Sequence, residues 1–128
     1  MVAIITGDII ASRKLIDQDK WLMPLKSLFI TWGDSPKDWK IDRGDSFQVE
    51  IKKSEDALLK ALEIKALIKN IAPISENKKN STIDVRLAIG IGEITYEGDA
   101  ISESNGTAFI NSGEKFDVLK NSFHHRIF

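Results

Sequence analysis

Two aspartates sit where the sequence punctuates its apolar segments. Asp8 follows the β-branched run Val2 to Thr6 and Gly7, and Asp45 lies in Gly44-Asp45-Ser46 between two alternating stretches. Carboxylates far apart in sequence but brought to one sheet edge make a seat for hard cations. Mg²⁺ takes oxygen ligands, usually one or two carboxylates plus substrate phosphates, and two ions so held can activate an attacking hydroxyl and stabilise a leaving phosphate. The same residues also have a purely structural explanation. Glycine and aspartate are what turns use, so Gly7-Asp8 also reads as a helix-entry turn and Gly44-Asp45 as a hairpin turn. Arg13 and Arg43, close behind or beside these aspartates, can meet a phosphate, or can be solvated or ion-paired surface groups. Glu93 and Asp99 either add carboxylates to the site or lie on the surface. Adjacent His124 and His125 would point to opposite faces of a strand, where they do not easily share one metal, and they read as structural or incidental.

These groups need a scaffold, and the apolar periodicity outlines one. Val2 to Thr6 has the length of a buried strand. Trp21, Leu25, Leu28, Phe29 and Trp32 recur at helical spacing before Gly33, a natural stop. Pro24 predicts that this helix begins near Met23 or is kinked there. From Trp39 to Ile51 the pattern alternates around a break at residues 43 to 45, as in a β-hairpin, and Trp39 at its start is a candidate partner contact. Ser54 reads as an N-cap for a helix carrying Ala57, Ala61, Ile64, Ile68 and Ile71 on one side, ended by Pro73. Residues 75 to 82 read as a solvated loop. Asp84 to Thr95 alternates again: Val85, Leu87, Ile89 and Ile91 face one way, and Arg86, Ala88, Gly90 and Gly92 the other. Glycine inside a strand marks a place where a ligand or another backbone comes close, so Gly90 and Gly92 are candidate ligand contacts. A third helix is expected from about Gly106 to Asn121, and residues 123 to 128 read as a last strand or a truncated one.

The order strand, helix, strand, strand, helix, strand, helix predicts an α+β fold of the ferredoxin-like βαββαβ kind, an antiparallel sheet with helices on one face plus a C-terminal helix. The other face would be open and would hold the hairpin and the glycine-bearing strand. All 128 residues fit one domain. Net charge is −1, which gives no global field for collecting nucleic acid as a polymer or an anionic membrane. There is no cysteine, which removes disulfides, thiol catalysis and thiolate-held zinc. No apolar stretch approaches the ~20 residues of a membrane span, and a cytoplasmic location fits best.

Three segments resemble, in order, the motifs of class III nucleotidyl cyclase and diguanylate cyclase (GGDEF) domains. They are Ile5-Thr6-Gly7-Asp8-Ile9-Ile10, Gly44-Asp45-Ser46-Phe47 and Val85-Arg86-Leu87-Ala88-Ile89-Gly90-Ile91-Gly92-Glu93. A closer resemblance is to SatD-like proteins, a bacterial family that looks cyclase-related, through Gly7-Asp8-Ile9-Ile10-Ala11-Ser12-Arg13 and Gly106-Thr107-Ala108-Phe109 with Ser112-Gly113-Glu114. The resemblance implies that Asp8 and Asp45 are metal aspartates, that the Ile9 carbonyl helps hold a second ion, and that Mg²⁺ or Mn²⁺ would accompany a nucleoside triphosphate or other small phosphate ligand. It also implies attack of a ribose 3′-hydroxyl on the α-phosphate, with pyrophosphate leaving, and a homodimer, since cyclase sites lie at a dimer interface. The chain departs from the pattern at Ile41, where a base-reading side chain is expected, at Arg43 and Ser46 within the hairpin signature, and at Lys115, which stands where an arginine would follow Asn111. Lys115 supplies charge without the planar fork of arginine. Two functions follow: a cyclase-like domain that binds metal and a phosphate ligand, with nucleotidyl transfer as its reaction, or a catalytically inactive regulatory or protein-interaction module with the same fold.

Overall fold

The computed structural model describes residues 1–11, 18–42, 45–71 and 83–121. They form an α+β unit in the order β1 (Val2–Ala11), α1 (Asp19–Ile30), β2 (Trp39–Ile41), β3 (Ser46–Ile51), α2 (Ala57–Lys69), β4 (Ile83–Gly92) and α3 (Thr107–Asn121). The four strands make one sheet in the order β2-β3-β1-β4, and every neighbouring pair is antiparallel.

β1 is nearly continuously apolar because both of its faces are covered. Ala3, Ile5 and Ile9 join the main core with Trp21, Leu25 and Phe29 of α1 and Ala57, Ala61, Ile64 and Ile68 of α2. Ile4 faces the other way and packs with Ala108 of α3 and with Ile101. β3 instead alternates, because only its Phe47, Val49 and Ile51 side enters the core. Phe29 ties the aromatic side chains together, with ring centroids 5.6 Å from Trp32, 5.6 Å from Trp39 and 5.4 Å from Phe47, all tilted, the range that aromatic pairs prefer.

Several expectations are corrected. β1 does not stop at Gly7-Asp8 but runs on to Ala11, because pairing to β3 and β4 on both sides outweighs the local turn preference of those two residues. Of the two expectations for α1, the start near Met23 is the one overturned: the helix begins at Asp19 and carries Pro24 inside. The missing amide deprives only the carbonyl of exposed Lys20, which water can serve. Ser54 does not cap α2. It opens a single 3-10 turn, Ser54–Asp56, and no side chain caps either element. Trp39 is 6% exposed and belongs to the core, with its indole N–H donated to the Gly33 carbonyl at 3.0 Å, so it offers no partner surface.

The helices are not all on one face. α1 and α2 cover the face of Ala3 and Ile5, whereas α3 lies on the opposite face, over β1 and β4, where an open surface was expected. Gly90 and Gly92 explain how. A Cβ on Gly90 would come within 3.0 Å of the backbone of Ala108 and Ser112, and one on Gly92 would do the same at Thr107 and Ala108. The bare face of β4 is therefore the bed on which the α3 backbone rests. Ser112 is fully buried there and donates its hydroxyl proton to Thr6 Oγ1 at 2.6 Å. Along the outer edge of β4, Lys65, Lys115 and Asn111 donate to the carbonyls of Val85, Ile89 and Ile91 at 2.8, 2.9 and 3.0 Å. Long polar side chains laid along an edge occupy the groups on which another chain could pair.

Candidate functional site

The register of the sheet places the candidate residues. Asp8 lies opposite Ser46 of β3 on one side and opposite Arg86 of β4 on the other. Directly opposed residues share a face, so Ser46, Asp8 and Arg86 form a row across three strands. Their face is the one that also carries α3. The next row, Gln48, Thr6 and Ala88, is already under α3 through the Thr6–Ser112 bond. One residue beyond the Asp8 row, the Ile9 amide donates to the Asp45 carbonyl at 2.8 Å. The Ile9 carbonyl shares that side of β1, since the amide and carbonyl of one strand residue point to the same neighbour. The backbones of Asp8, Ile9 and Asp45 therefore lie together at one end of the β1–β3 pair.

Asp45 carries a positive φ of 72°. Among residues with a side chain, aspartate and asparagine tolerate this left-handed conformation best, which makes Asp45 a turn-compatible residue as well as a carboxylate. Asp8, by contrast, is not a turn residue at all. It stands inside a central strand with its side chain 15% exposed, and turn chemistry does not explain its presence.

What meets Asp8 is Arg86. Arg86 Nε donates to Oδ1 at 3.0 Å and Nη2 to Oδ2 at 2.6 Å, a fork-to-fork pair that occupies both carboxylate oxygens. The Arg86 side chain is 25% exposed. The bond from Asp8 holds its guanidinium still further above its already high pKa than burial can lower it. Charge-assisted hydrogen bonds of this sort contribute about 1.5–3 kcal/mol when shielded, and partial exposure places this pair toward the lower end. Two residues away, Asp84 is held by a separate set of cations, with Lys65 at 2.8 Å and Lys69 at 3.7 Å. Burial pushes the Asp84 carboxyl up, but the Lys65 bond, the Val85 amide and the charges of Lys65 and Lys69 outweigh it and leave it below the ordinary carboxylate range.

No protein-family model matches the chain, and no curated protein does. The site is therefore weighed on its own chemistry. The donors at the β1–β3 end are all oxygens, two carboxylates and a carbonyl, which suits a hard divalent cation. Among the described residues no three histidine, cysteine or acidic side chains gather, so a cation here would complete its shell with water or ligand oxygens. The guanidinium on Asp8 is itself a positive group at the position a cation would take.

The other candidates are placed elsewhere. Gly90 and Gly92 are covered by α3, and the backbone of that helix, not a ligand, fills the space beside them. Lys115 is occupied at the β4 edge with Ile89. Glu93 follows Gly92, the partner of Val2, at the opposite end of the sheet from Asp8, and Asp99 is exposed beyond it. Arg13, Arg43, His124 and His125 lie outside the described residues. Arg86 was missed as a site residue. Its strand and its face were legible, but the signal that pairs it with Asp8 is the β1–β4 register, which no local pattern encodes.

Proposed function

We propose that the chain is a nucleotidyl-cyclase-like domain of ferredoxin-like topology, of the SatD-like kind, that binds a divalent cation and a nucleotide or other small phosphate ligand at Asp8, Ile9 and Asp45. The observation that carries this reading is the Ile9–Asp45 hydrogen bond in register with Asp8. It supports the reading by bringing the backbones of two acidic residues distant in sequence to one end of adjacent strands. Mg²⁺ or Mn²⁺ bound there would supply charge neutralisation for phosphate oxygens. Asp8 and Asp45 would hold it through their carboxylates, the Ile9 carbonyl would add a third oxygen, and ligand phosphates would complete the shell.

Binding is better supported than turnover. Ile41 packs against the core and presents no polar edge to a base. Lys115 is engaged with Ile89, away from Asp8, so it does not stabilise charge at a reacting phosphate from where it stands. Nucleotidyl transfer, with a ribose hydroxyl attacking an α-phosphate and pyrophosphate leaving, would need a cation from a second copy of the chain. That expectation goes with the homodimer of the cyclases. A second reading, a regulatory or protein-interaction module, is favoured by one specific feature: Arg86 already engages both Asp8 oxygens, and the pair is complete as a link between β1 and β4.

Calorimetric titration of Mn²⁺ with a panel of nucleoside triphosphates decides between them. The proposal expects metal-dependent binding that Asp8→Asn and Asp45→Asn each weaken by tenfold or more, about 1.4 kcal/mol. Absence of metal-dependent binding in the parent, or equal binding in both variants, leaves the module. Pyrophosphate release that disappears in Asp8→Asn would add turnover.

A further inference from the structure

We propose that Arg86 makes occupancy of the metal site conditional on a phosphate ligand, by holding Asp8 when the site is empty and passing to the ligand phosphate when a cation takes the Asp8 carboxylate. This rests on the metal-site reading above and specifies how that site would be regulated.

Three features lead to it. The Asp8 and Arg86 backbones are directly opposed in adjacent strands, so a guanidinium released from Asp8 stays in the same row beside the incoming cation. Two like charges a few ångströms apart, in a place partly withdrawn from water, repel strongly. Next, the nearest alternative anion on the same strand is engaged. Asp84 lies two positions along β4, but its oxygens are held by Lys65 and Lys69 at 2.8 and 3.7 Å, so Arg86 could pair with it only in competition with two lysines. Lastly, the guanidinium presents Nε and Nη2 as a planar fork, which fits two oxygens of a phosphate as well as two of a carboxylate. A cation alone therefore meets resistance at Asp8, whereas a cation arriving with phosphate supplies the anion that Arg86 needs. An arginine that only braced β1 against β4 would not couple the two ligands.

The test follows the amide signals of Ile9 and Ser46 by NMR while Mn²⁺, which broadens nearby resonances, is added alone or as its preformed complex with inorganic pyrophosphate. In the parent the complex should broaden both signals at a concentration at least about tenfold lower than Mn²⁺ alone, within the ordinary range of coupling between sites. In Arg86→Met, Mn²⁺ alone should act at an about tenfold lower concentration than in the parent, and the advantage of the complex should shrink to less than about threefold. Arg86→Lys, which keeps the charge and loses the fork, should retain the resistance to Mn²⁺ alone and lose most of the gain from pyrophosphate. Equal broadening of the parent by the two titrants overturns the proposal while leaving the metal site standing, as does an Arg86→Met variant that behaves like the parent. Broadening by neither titrant in the parent, or broadening unchanged in Asp45→Asn, overturns the metal site as well. Should Arg86→Met fail to fold, Arg86→Lys carries the comparison: an unchanged gain from pyrophosphate in it overturns the proposal, as equal broadening of the parent does.

Discussion

Replacing Gly90 by alanine tests how α3 is seated. The added Cβ would lie 2.7 Å from the Ser112 Cα and also within 3.0 Å of the Ser112 amide nitrogen and the Ala108 carbonyl oxygen. All three are backbone atoms, so no change of rotamer relieves the contact and the helix itself must move. Restoring an ordinary carbon–carbon separation requires a displacement of about 1 Å. That movement strains the 2.6 Å bond from Ser112 to Thr6 and loosens Ala108 from Ile4. Overpacking of this kind costs about 1–3 kcal/mol, and a weakened buried hydrogen bond adds about 1 kcal/mol. Alanine recovers about 0.5–1 kcal/mol over glycine inside a strand. The net expectation is a loss of about 2 kcal/mol, or a fall in Tm of roughly 8 °C for a chain of this size. Gly113, on the same helix, is the control: a Cβ there meets nothing within 4 Å. Gly113→Ala should stabilise by up to about 1 kcal/mol through helix propensity alone. Urea unfolding followed by tryptophan fluorescence and far-UV circular dichroism measures both. A Gly90→Ala variant within about 0.5 kcal/mol of the parent, the usual scatter of a neutral surface change, would refute the close seating of α3 on β4.

The remaining predictions concern the charged groups. In a double-mutant cycle, Asp8→Asn and Arg86→Met should show a favourable coupling of about 1–2 kcal/mol in unfolding free energy, and additivity would show that the pair contributes nothing net. The Asp84 carboxyl is depressed in the folded state, so its stabilisation is complete above its unfolded value and is lost as pH falls through the lower folded one. Acid titration of stability should therefore show a limb beginning near pH 4 that Asp84→Asn flattens, and an unchanged limb in that variant would count against this assignment. Lys115→Ala combined with Asn111→Ala exposes the β4 carbonyls of Ile89 and Ile91. It should cost less than about 1 kcal/mol but raise self-association in light scattering, because the bared edge can pair with another chain.

The elements whose signals are local were legible. Helical periodicity at Ala57, Ala61, Ile64 and Ile68 and alternation at Phe47, Val49 and Ile51 outlined α2 and β3, because each reflects a single buried side. β1 was read too short, since Gly7-Asp8 carries turn chemistry that only its two strand partners override. The bareness of Gly90 and Gly92 correctly pointed to a close approach, but one sequence cannot distinguish a ligand from a helix backbone at that spot. Asp8 and Asp45 were legible as carboxylates near two breaks in the pattern. That Asp8 meets Arg86 was not, because a pairing between strands so distant in the chain depends on a register shared by ten residues of each.

The central position of β1 governs the order in which the chain can be assembled. β1 precedes both of its partners in the sequence, and its pairing with β4 runs from Val2 with Gly92 to Ala11 with Ile83. During synthesis, then, the most apolar strand leaves the ribosome long before either neighbour exists. Its hydrogen-bonding edges must be shielded until α1, the hairpin and α2 have followed. Contacts so distant in the chain form late and slowly. The Asp8–Arg86 pair belongs to this last closure, so a nascent chain interrupted before β4 would carry Asp8, Ile9 and Asp45 without the guanidinium that engages Asp8.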